Sequence, residues 1–150
     1  MSFKVKIEYT NENCKLEKHG NCYDVKAAKD INFQKNNKAM IPLGFKTEMH
    51  KALRASLYPR SSSFKNWGFI QTNSIGEIEP DFGGEWNLPV YFLTQGALKD
   101  IKEGDRIAQV RFSIMEDASW WDKIKSLFTK IEVIESKVNS TRQGFGSTGK

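Results

Sequence analysis

The chain lacks most features that would place it outside the ordinary globular proteins. It has only two cysteines in 150 residues, and the spacing of Cys14 and Cys22 fits neither a disulfide framework nor a zinc site. The longest stretch without charge, residues 86–98, contains Pro89 and is too short to cross a bilayer. The N-terminus has no hydrophobic signal core. We therefore expect a reduced, cytoplasmic protein with no membrane partner.

Strongly biased charge and the common catalytic motifs are also missing. The 23 basic and 18 acidic residues give a net charge of +5, which favours anionic ligands. No block of five or six like charges is present, so we expect no nucleic-acid partner. There is no Walker loop, Rossmann fingerprint or nucleophile elbow. His19 and His50 have no partner at metal-ligand spacing, and we expect both to be surface residues.

The sequence does contain many short segments typical of strands. They are separated by glycine or proline at roughly ten-residue intervals, which predicts an all-β sandwich or barrel. The clearest is Phe3–Tyr9, where apolar and charged residues alternate. Pro42 restricts one segment to a strand edge or end, and we interpret residues 11–21 as a loop. The other strand candidates are residues 31–33, 39–48, 53–58, 67–72, 90–93, 107–114 and 131–135.

One segment has helical periodicity instead. Trp121, Ile124, Leu127 and Phe128 fall on one face of a short helix, which Asp117 or Ser119 could cap. We favour a helix that anchors in the core, because isolated apolar stripes usually pack inward; a partner-binding helix is the alternative. Residues 136–150 have almost no apolar residues, so we expect a β domain of residues 1–135 followed by a flexible C-terminal lid.

Four segments carry groups that suit phosphate chemistry. Residues 59–63, Pro-Arg-Ser-Ser-Ser, combine a guanidinium with hydroxyls and turn amides, a set that binds anions. The acidic turn at residues 76–84 has carboxylates that could hold a metal or activate water. Residues 104–109 form the turn and the first residues of a predicted strand. The tail from Arg142 could close over a phosphorylated ligand. Taken singly, the first three segments are also typical of ordinary loops and turns, and the acidic segment alone is more typical of a solvated turn.

In their order and spacing these segments resemble the homotrimeric dUTPase family along nearly the whole chain. The five family motifs correspond to residues 21–25, 59–62, 73–84, 104–109 and 142–149. The resemblance implies a jelly-roll-like β-barrel with one short helix. It also implies a homotrimer whose three chains share each active site, and hydrolysis of dUTP to dUMP and pyrophosphate with Mg²⁺.

The resemblance further implies a role for individual residues. Glu79 is the general base, with Asp81 in the same turn as the alternative. Asp24 holds the magnesium ion through water. Phe82 replaces the family's tyrosine, and its ring would pack against the deoxyribose and exclude a 2′-hydroxyl. The substrate-binding residues are Arg60, Ser61, Ser62, Asn73, Gly76, Ile78, Phe82, Gln109, Arg142, Phe145, Gly146, Ser147 and Thr148.

Three positions depart from the family pattern. Glu79 stands where aspartate is usual, and its extra methylene moves the carboxylate by about an ångström, a misplacement that can cost about 10²-fold in rate. Cys22 stands where glycine is usual, and Arg142 precedes Phe145 by three residues instead of five. Glu79, together with the additional Trp120-Trp121 segment, makes a catalytically weak, nucleotide-binding regulatory protein the alternative. Pro89 occupies the position of the catalytic glutamate of the related dCTP deaminases, which argues against deamination.

Overall fold

Three β-sheets form the framework of the fold. The computed structural model describes residues 2–32, 37–93, 99–140 and 142, and the predicted all-β fold is confirmed in these ranges. The strands are β1 (Phe3–Tyr9), β2 (Glu17–His19), β3 (Cys22–Lys26), β4 (Lys38–Pro42), β5 (Phe45–Met49), β6 (Leu53–Pro59), β7 (Phe69–Gln71), β8 (Gly76–Ile78), β9 (Asn87–Phe92), β10 (Arg106–Ile114) and β11 (Ile131–Glu135). A 3₁₀ turn (Glu12–Cys14), α1 (Ser63–Trp67) and α2 (Trp120–Ser126) lie between them.

The strands form one five-stranded sheet and two three-stranded sheets. The five-stranded sheet has the order β2-β3-β10-β6-β8, and the smaller sheets have the orders β11-β1-β5 and β4-β9-β7. β1 is parallel to β11 and antiparallel to β5. Buried and outward-facing residues alternate along β1 as predicted: Phe3, Val5 and Ile7 are buried, and the residues between them face outward. β4 ends at Pro42, the position to which proline was expected to restrict it.

The core is rich in aromatic residues. Trp86 packs against Phe45 with their ring centroids 4.9 Å apart, and its indole Nε1–H donates to Thr47 Oγ1 at 3.0 Å. Both polar partners are buried, so this hydrogen bond satisfies groups that would otherwise be costly to remove from water. The backbone N–H of Trp86 also donates to the Phe45 carbonyl at 3.0 Å. These contacts hold the segment after the acidic turn against β5.

Several local predictions are wrong. Residues 11–21 are not all loop, because they contain the 3₁₀ turn and β2. Ile31 makes only an isolated bridge to Ile101, and Phe33 lies outside the described residues. β7 is shorter than predicted because Trp67 belongs to α1. β3 and β8 were not predicted as strands at all, since polar and charged residues interrupt their apolar pattern.

The predicted helix forms, but its predicted packing is wrong. Ser119 caps α2, and its hydroxyl accepts a hydrogen bond from the Asp122 N–H at 3.2 Å. Trp121, Leu127 and Phe128 are exposed, and no residue of α2 is buried. The helical periodicity correctly placed these apolar residues on one face of α2, but it does not determine what that face contacts. In the part of the chain that the structure describes, no helix has the length and apolar character needed to cross a membrane.

Candidate active site

Five polar residues lie together where β3, β10 and β6 run side by side. Gln109 of β10 pairs in register with Asp24 of β3, and its Nε2 lies 3.5 Å from the Pro59 carbonyl at the end of β6. The loop after β6 brings in Arg60 and then the first residue of α1. We call Asp24, Arg60, Ser63, Arg106 and Gln109 the anion cluster. Three of these were predicted site residues, whereas Ser63 and Arg106 were not.

Asp24 organises the anion cluster. Only 2% of its surface is exposed, and Asp24 Oδ1 lies 3.0 Å from Arg60 Nε while Oδ2 lies 3.7 Å from Arg106 Nη1. A buried carboxylate is tolerated only when it is paired in this way. Arg60 Nη1 also donates to the Arg106 carbonyl at 3.3 Å. The Arg60 side chain is thereby oriented while 26% of it remains exposed.

Ser63 fixes the backbone of Arg60. Its Oγ accepts a hydrogen bond from the Arg60 N–H at 3.1 Å and donates one to the Ile107 carbonyl at 2.7 Å. The register of β10 against β3 shifts between Arg106 and Ala108, and such a bulge leaves a residue outside the ladder. The buried Ser63 hydroxyl therefore satisfies a carbonyl that the sheet does not. The sequence signal that could have identified this role is the position of Ser63, three residues after Arg60 in a run of three serines.

Ser61 and Ser62 remain available to a ligand. Ser61 is exposed and Ser62 is half-buried. Ser62 stands at the N-cap of α1, but its side chain makes no capping hydrogen bond. The Ser62 hydroxyl therefore has no structural role in the helix, and both serines directly follow Arg60 in the sequence.

Two positions in the first and fourth motifs have ordinary explanations. Cys22 lies in the extended strand β3, and Ser74 alone among the described non-glycine residues has a positive φ. The usual glycine is therefore not required at position 22. Gly104 does need its freedom, because it has φ of 87° in the turn that leads into β10.

The turn between β7 and β8 carries the residues predicted to recognise uracil. Asn73 is exposed at its tip, and its Oδ1 accepts a hydrogen bond at 2.7 Å from Gln71 Nε2. The buried Gln71 also donates to the Leu57 carbonyl at 3.0 Å, so it ties the tip to β6. Ser74 holds a strained φ of 61°. Gln71 was not predicted, because a glutamine at the end of a short strand carries no distinctive signal.

Two further predicted residues lie in β8, the strand that follows this turn. Gly76 and Ile78 are the first and last residues of β8 and pair with Leu57 and Ala55 of β6. A Cβ on Gly76 would meet Asn73 Nδ2 at 3.5 Å, an ordinary contact. The turn before β8 therefore presents its main chain and the Asn73 amide next to β8, an edge strand of the five-stranded sheet.

The acidic turn after β8 is paired with an arginine of the C-terminal segment. Arg142 Nη1 lies 2.6 Å from Asp81 Oδ1 and also contacts the Glu79 carboxylate. Hydrogen bonds to Glu79 and Asp81 raise the pKa of the Arg142 guanidinium above its ordinary value. Phe82 is half-buried and forms a parallel bridge with Arg142. Both candidate bases are thus engaged by the same cation.

The segment that carries Arg142 runs along β1 and β5 before it reaches the acidic turn. Ser136 N–H donates to the Ile7 carbonyl at 2.9 Å, and Asn139 N–H donates to Glu48 Oε2 at 3.0 Å. Lys6 Nζ donates to the other oxygen of Glu48 at 2.8 Å. These hydrogen bonds, from Lys6 first and then from Asn139, lower the pKa of Glu48 below its ordinary value.

The end of this segment packs closely on the acidic turn. The Gly83 N–H donates to the Arg142 carbonyl at 2.8 Å, and the Ser140 hydroxyl donates to the Asp81 carbonyl. A Cβ on Gly83 would collide with the Ser140 carbonyl, so only glycine permits this approach. The other predicted lid residues, Phe145, Gly146, Ser147 and Thr148, lie outside the described residues.

The anion cluster and the acidic turn lie far apart within the chain. Asp24 is level with Gln109 and Tyr58, whereas Glu79 follows Ile78, which pairs with Ala55. The two sites are separated by three strand spacings and about four residues along the sheet, or roughly 20 Å on a flat sheet. The described residues contain no group of three or more His, Cys, Asp or Glu that could hold a metal ion.

The chain is an all-β protein in which a charged cluster centred on the buried Asp24 and an acidic turn lie at separate places on one sheet. The sequence model of the dUTPase family matches residues 12–149. The SPbeta prophage-derived deoxyuridine 5′-triphosphate nucleotidohydrolase of Bacillus subtilis (strain 168) is 37% identical over 155 residues, covering 97% of this chain and 98% of the relative. The chain therefore belongs to the dUTPase family.

Solved structures agree with this fold. The dUTPase from Streptococcus mutans superposes with a TM-score of 0.67 at 23% identity, covering 76% of this chain and 98% of that one. A mutant dUTPase from phage phi11 of S. aureus, whose structure shows the coordination of a structural Mg(II) ion, superposes with a TM-score of 0.66 at 15% identity, covering 77% and 93%. At these identities the likeness concerns the fold alone.

Proposed function

We propose that the chain hydrolyses dUTP to dUMP and pyrophosphate, in a homotrimer whose active sites lie between copies. The observation that carries this proposal is the division of the site. The chain has both the predicted phosphate-binding residues and the predicted general base of the dUTPase family, yet roughly 20 Å separates them. A base must lie within hydrogen-bond reach of the water that it activates. The acidic turn of one copy therefore serves the anion cluster of another.

The anion cluster would bind the triphosphate. Asp24 holds the Arg60 guanidinium in place, which allows Arg60 to donate to phosphate oxygens without losing side-chain freedom on binding. Ser61, Ser62 and the Gln109 amide would add neutral donors at the same edge. Desolvation by the substrate would strengthen each of these interactions.

The residues present fit a magnesium ion that is held mainly by the substrate. Mg²⁺ commonly keeps several waters and binds through one or two carboxylates together with substrate phosphates. Asp24 is the one carboxylate of the anion cluster, and its buried Oδ2 has no hydrogen-bond partner. Asp24 would hold the ion through water. When bound, magnesium neutralises charge on the phosphates.

Glu79 is the proposed general base. It would remove a proton from the water that attacks the α-phosphorus; the new P–O bond forms as the bond to the bridging oxygen breaks, and pyrophosphate leaves. Glu79 lies next to Asp81 on an exposed turn, and Arg142 pairs with both. Arg142 would have to move from the carboxylates towards the substrate phosphates before Glu79 could accept a proton.

The turn between β7 and β8 would recognise uracil. Because Asn73 Oδ1 already accepts a hydrogen bond from Gln71, the Asn73 Nδ2 donor is the group left for the uracil O4. Main-chain carbonyls of this turn would accept from N3–H. The half-buried Phe82 of the acidic turn would exclude a ribose 2′-hydroxyl by occupying its space.

Substrate preference and a matched pair of variants test the proposal. Pyrophosphate release with Mg²⁺ should be fastest from dUTP among dUTP, dCTP, dTTP and UTP. Glu79→Gln should lower kcat at least about 10²-fold while leaving dUTP affinity within a few-fold, whereas Asp81→Asn should keep most turnover. The reverse result would assign the base to Asp81, and no preference for dUTP would overturn the activity. Tight dUTP binding without hydrolysis would favour the regulatory alternative.

A further inference from the structure

Helix α2 presents an apolar surface that is exposed in the described part of the chain. Trp120 is 69% exposed, Trp121 74%, Leu127 76% and Phe128 83%. The other exposed large hydrophobic residues in the described ranges have values between 45% and 58%. The two tryptophans pack edge to face with ring centroids 5.3 Å apart. We call these four residues the α2 patch.

The α2 patch is large enough to be an interface. Aromatic side chains cover about 150–250 Å² each, so at the exposed fractions given above the three aromatic residues and Leu127 together expose roughly 600 Å². This area is at the upper limit of the largest apolar patch on a typical monomer. It also supplies most of the ~800 Å² that each partner contributes to a standard protein interface.

The α2 patch lies at the end of the five-stranded sheet that also carries the acidic turn. α2 follows β10, where Met115 N–H donates to the Ala52 carbonyl at 2.8 Å. Arg54 of β6 forms an ion pair with Glu116 at 2.6 Å, and the next residue of β6, Ala55, pairs with Ile78, the last residue of β8 before the acidic residues Glu79 and Asp81. The proposed function requires this end of one copy to face the anion cluster of another.

We infer that the α2 patch is buried against a second copy of this chain, in the assembly that brings the acidic turn to the neighbouring anion cluster. This inference rests on the proposed function, because the divided site is what demands a neighbour at this end of the sheet. Assembly and turnover therefore both depend on Trp120, Trp121, Leu127 and Phe128. The patch forms part of the contact that completes the active site.

The charges around α2 favour a protein surface over a lipid surface. Three lysines, at positions 123, 125 and 130, are matched by three acidic residues, at positions 116, 117 and 122, so the helix region has no net attraction for anionic lipid. Lys125 Nζ also lies 4.8 Å from the centre of the Phe3 ring, which holds the helix against β1. A rigidly placed patch with balanced charge suits a complementary protein face.

The oligomeric state of a charge-insertion variant tests the inference. The wild-type chain should have a mass of about 52 kDa by light scattering, three times the 17.2 kDa of one copy. Leu127→Glu/Phe128→Glu should shift the mass to that of one copy and lower turnover per chain at 0.1 µM enzyme at least ten-fold. Its circular dichroism should not change, because both side chains are already exposed in the single chain. Ser126→Glu, which adds charge to the opposite side of α2, should remain trimeric and active.

Tryptophan fluorescence gives an independent readout. Trp67 and Trp86 are buried in the single chain, so acrylamide quenching reports chiefly on Trp120 and Trp121. Quenching should be at least two-fold weaker in the wild-type assembly than in the Leu127→Glu/Phe128→Glu variant. If that variant does not fold, Trp120→Ser/Trp121→Ser decides the question by the same mass and turnover measurements.

The outcomes separate this inference from the proposed function. A folded variant that stays trimeric and active overturns the inference, and so does a monomeric wild-type chain. The inference is also overturned if the variants remain trimeric and lose only binding to phosphatidylglycerol vesicles or to an unrelated protein. The α2 patch would then be a membrane-binding or partner-binding surface. A wild-type trimer that requires the α2 patch but releases no pyrophosphate from dUTP refutes the proposed function and leaves the interface standing.

Discussion

Replacing Ser63 by alanine should destabilise the protein far more than its short side chain suggests. The Ser63 hydroxyl accepts from the Arg60 N–H and donates to the Ile107 carbonyl, which lies at a bulge in β10. Ser63 and Ile107 are both 0% exposed, so water cannot replace the lost partner. An unsatisfied buried carbonyl costs about 1–3 kcal/mol, and the lost bond to Arg60 adds about 1 kcal/mol. We expect Ser63→Ala to lower the free energy of unfolding by about 3 kcal/mol.

Urea and thermal denaturation measure this loss. For a chain of this length, 3 kcal/mol corresponds to a fall in Tm of roughly 6–12 °C. Wild type and variant must be compared at equal chain concentration, because assembly makes apparent stability depend on concentration. Ser62→Ala is the matched control, since Ser62 makes no capping bond, and it should stay within about 0.5 kcal/mol of wild type. If Ser63→Ala were as stable as this control, the carbonyl-satisfying role of Ser63 would be refuted.

Three further predictions concern the metal, the C-terminal segment and pH. With Mg²⁺, Asp24→Asn should weaken binding of a non-hydrolysable dUTP analogue at least ten-fold by calorimetry; an equal loss in EDTA would mean that Asp24 only positions its arginine partners. Gly83→Ala should displace Ser140 and speed tryptic cleavage after Arg142 several-fold, and unchanged cleavage would contradict the close packing. Glu48 has a pKa below its ordinary 4.5, so it stabilises the fold above that pH and the stability is lost as pH falls through the lowered value. Glu48→Gln should remove up to about 1 kcal/mol of this acid sensitivity in urea titrations, and an unchanged pH profile would rule that out.

Sequence alone predicted the elements whose pattern is set by a single apolar face. β1 alternates apolar and charged residues, and it forms a strand with the predicted residues inward. β10 and β11 also form where short apolar runs predicted them. β3 was missed as a strand because Asp24 is buried, and a buried charge looks like a surface position in any hydropathy pattern. Its burial depends on two arginines from distant parts of the chain.

The helix shows a different limit of pattern-based reasoning. Periodicity identified α2 and its Ser119 cap correctly, because both depend on residues within a few positions of one another. Which surface the apolar face contacts depends on the rest of the fold and on neighbouring copies. Trp121 and Phe128 were therefore assigned to the core, although they are exposed in the single chain.

The residues of the candidate site also fall into those that the sequence predicted and those that only the fold reveals. Motif order predicted Asp24, Arg60 and Gln109, and the structure brings these three together. Ser63 and Gln71 escaped prediction because each acts through a hydrogen bond to a main-chain carbonyl that only the folded chain brings near. The roles of all these residues in substrate binding stay predictions.

The proposed division of the site between copies offers a physical reason why glutamate can stand at position 79, where aspartate is usual. A base on the same rigid sheet as the phosphate cluster would have its position fixed by strand register, and one extra methylene would then be hard to absorb. Glu79 instead stands on an exposed turn after β8, and the proposed partner surface belongs to another copy. Small adjustments of that turn and of the contact between copies could offset an ångström of side-chain length. The stability of the interface and the placement of the base are therefore coupled, and a variant that loosens the α2 patch should lower kcat even where trimers persist.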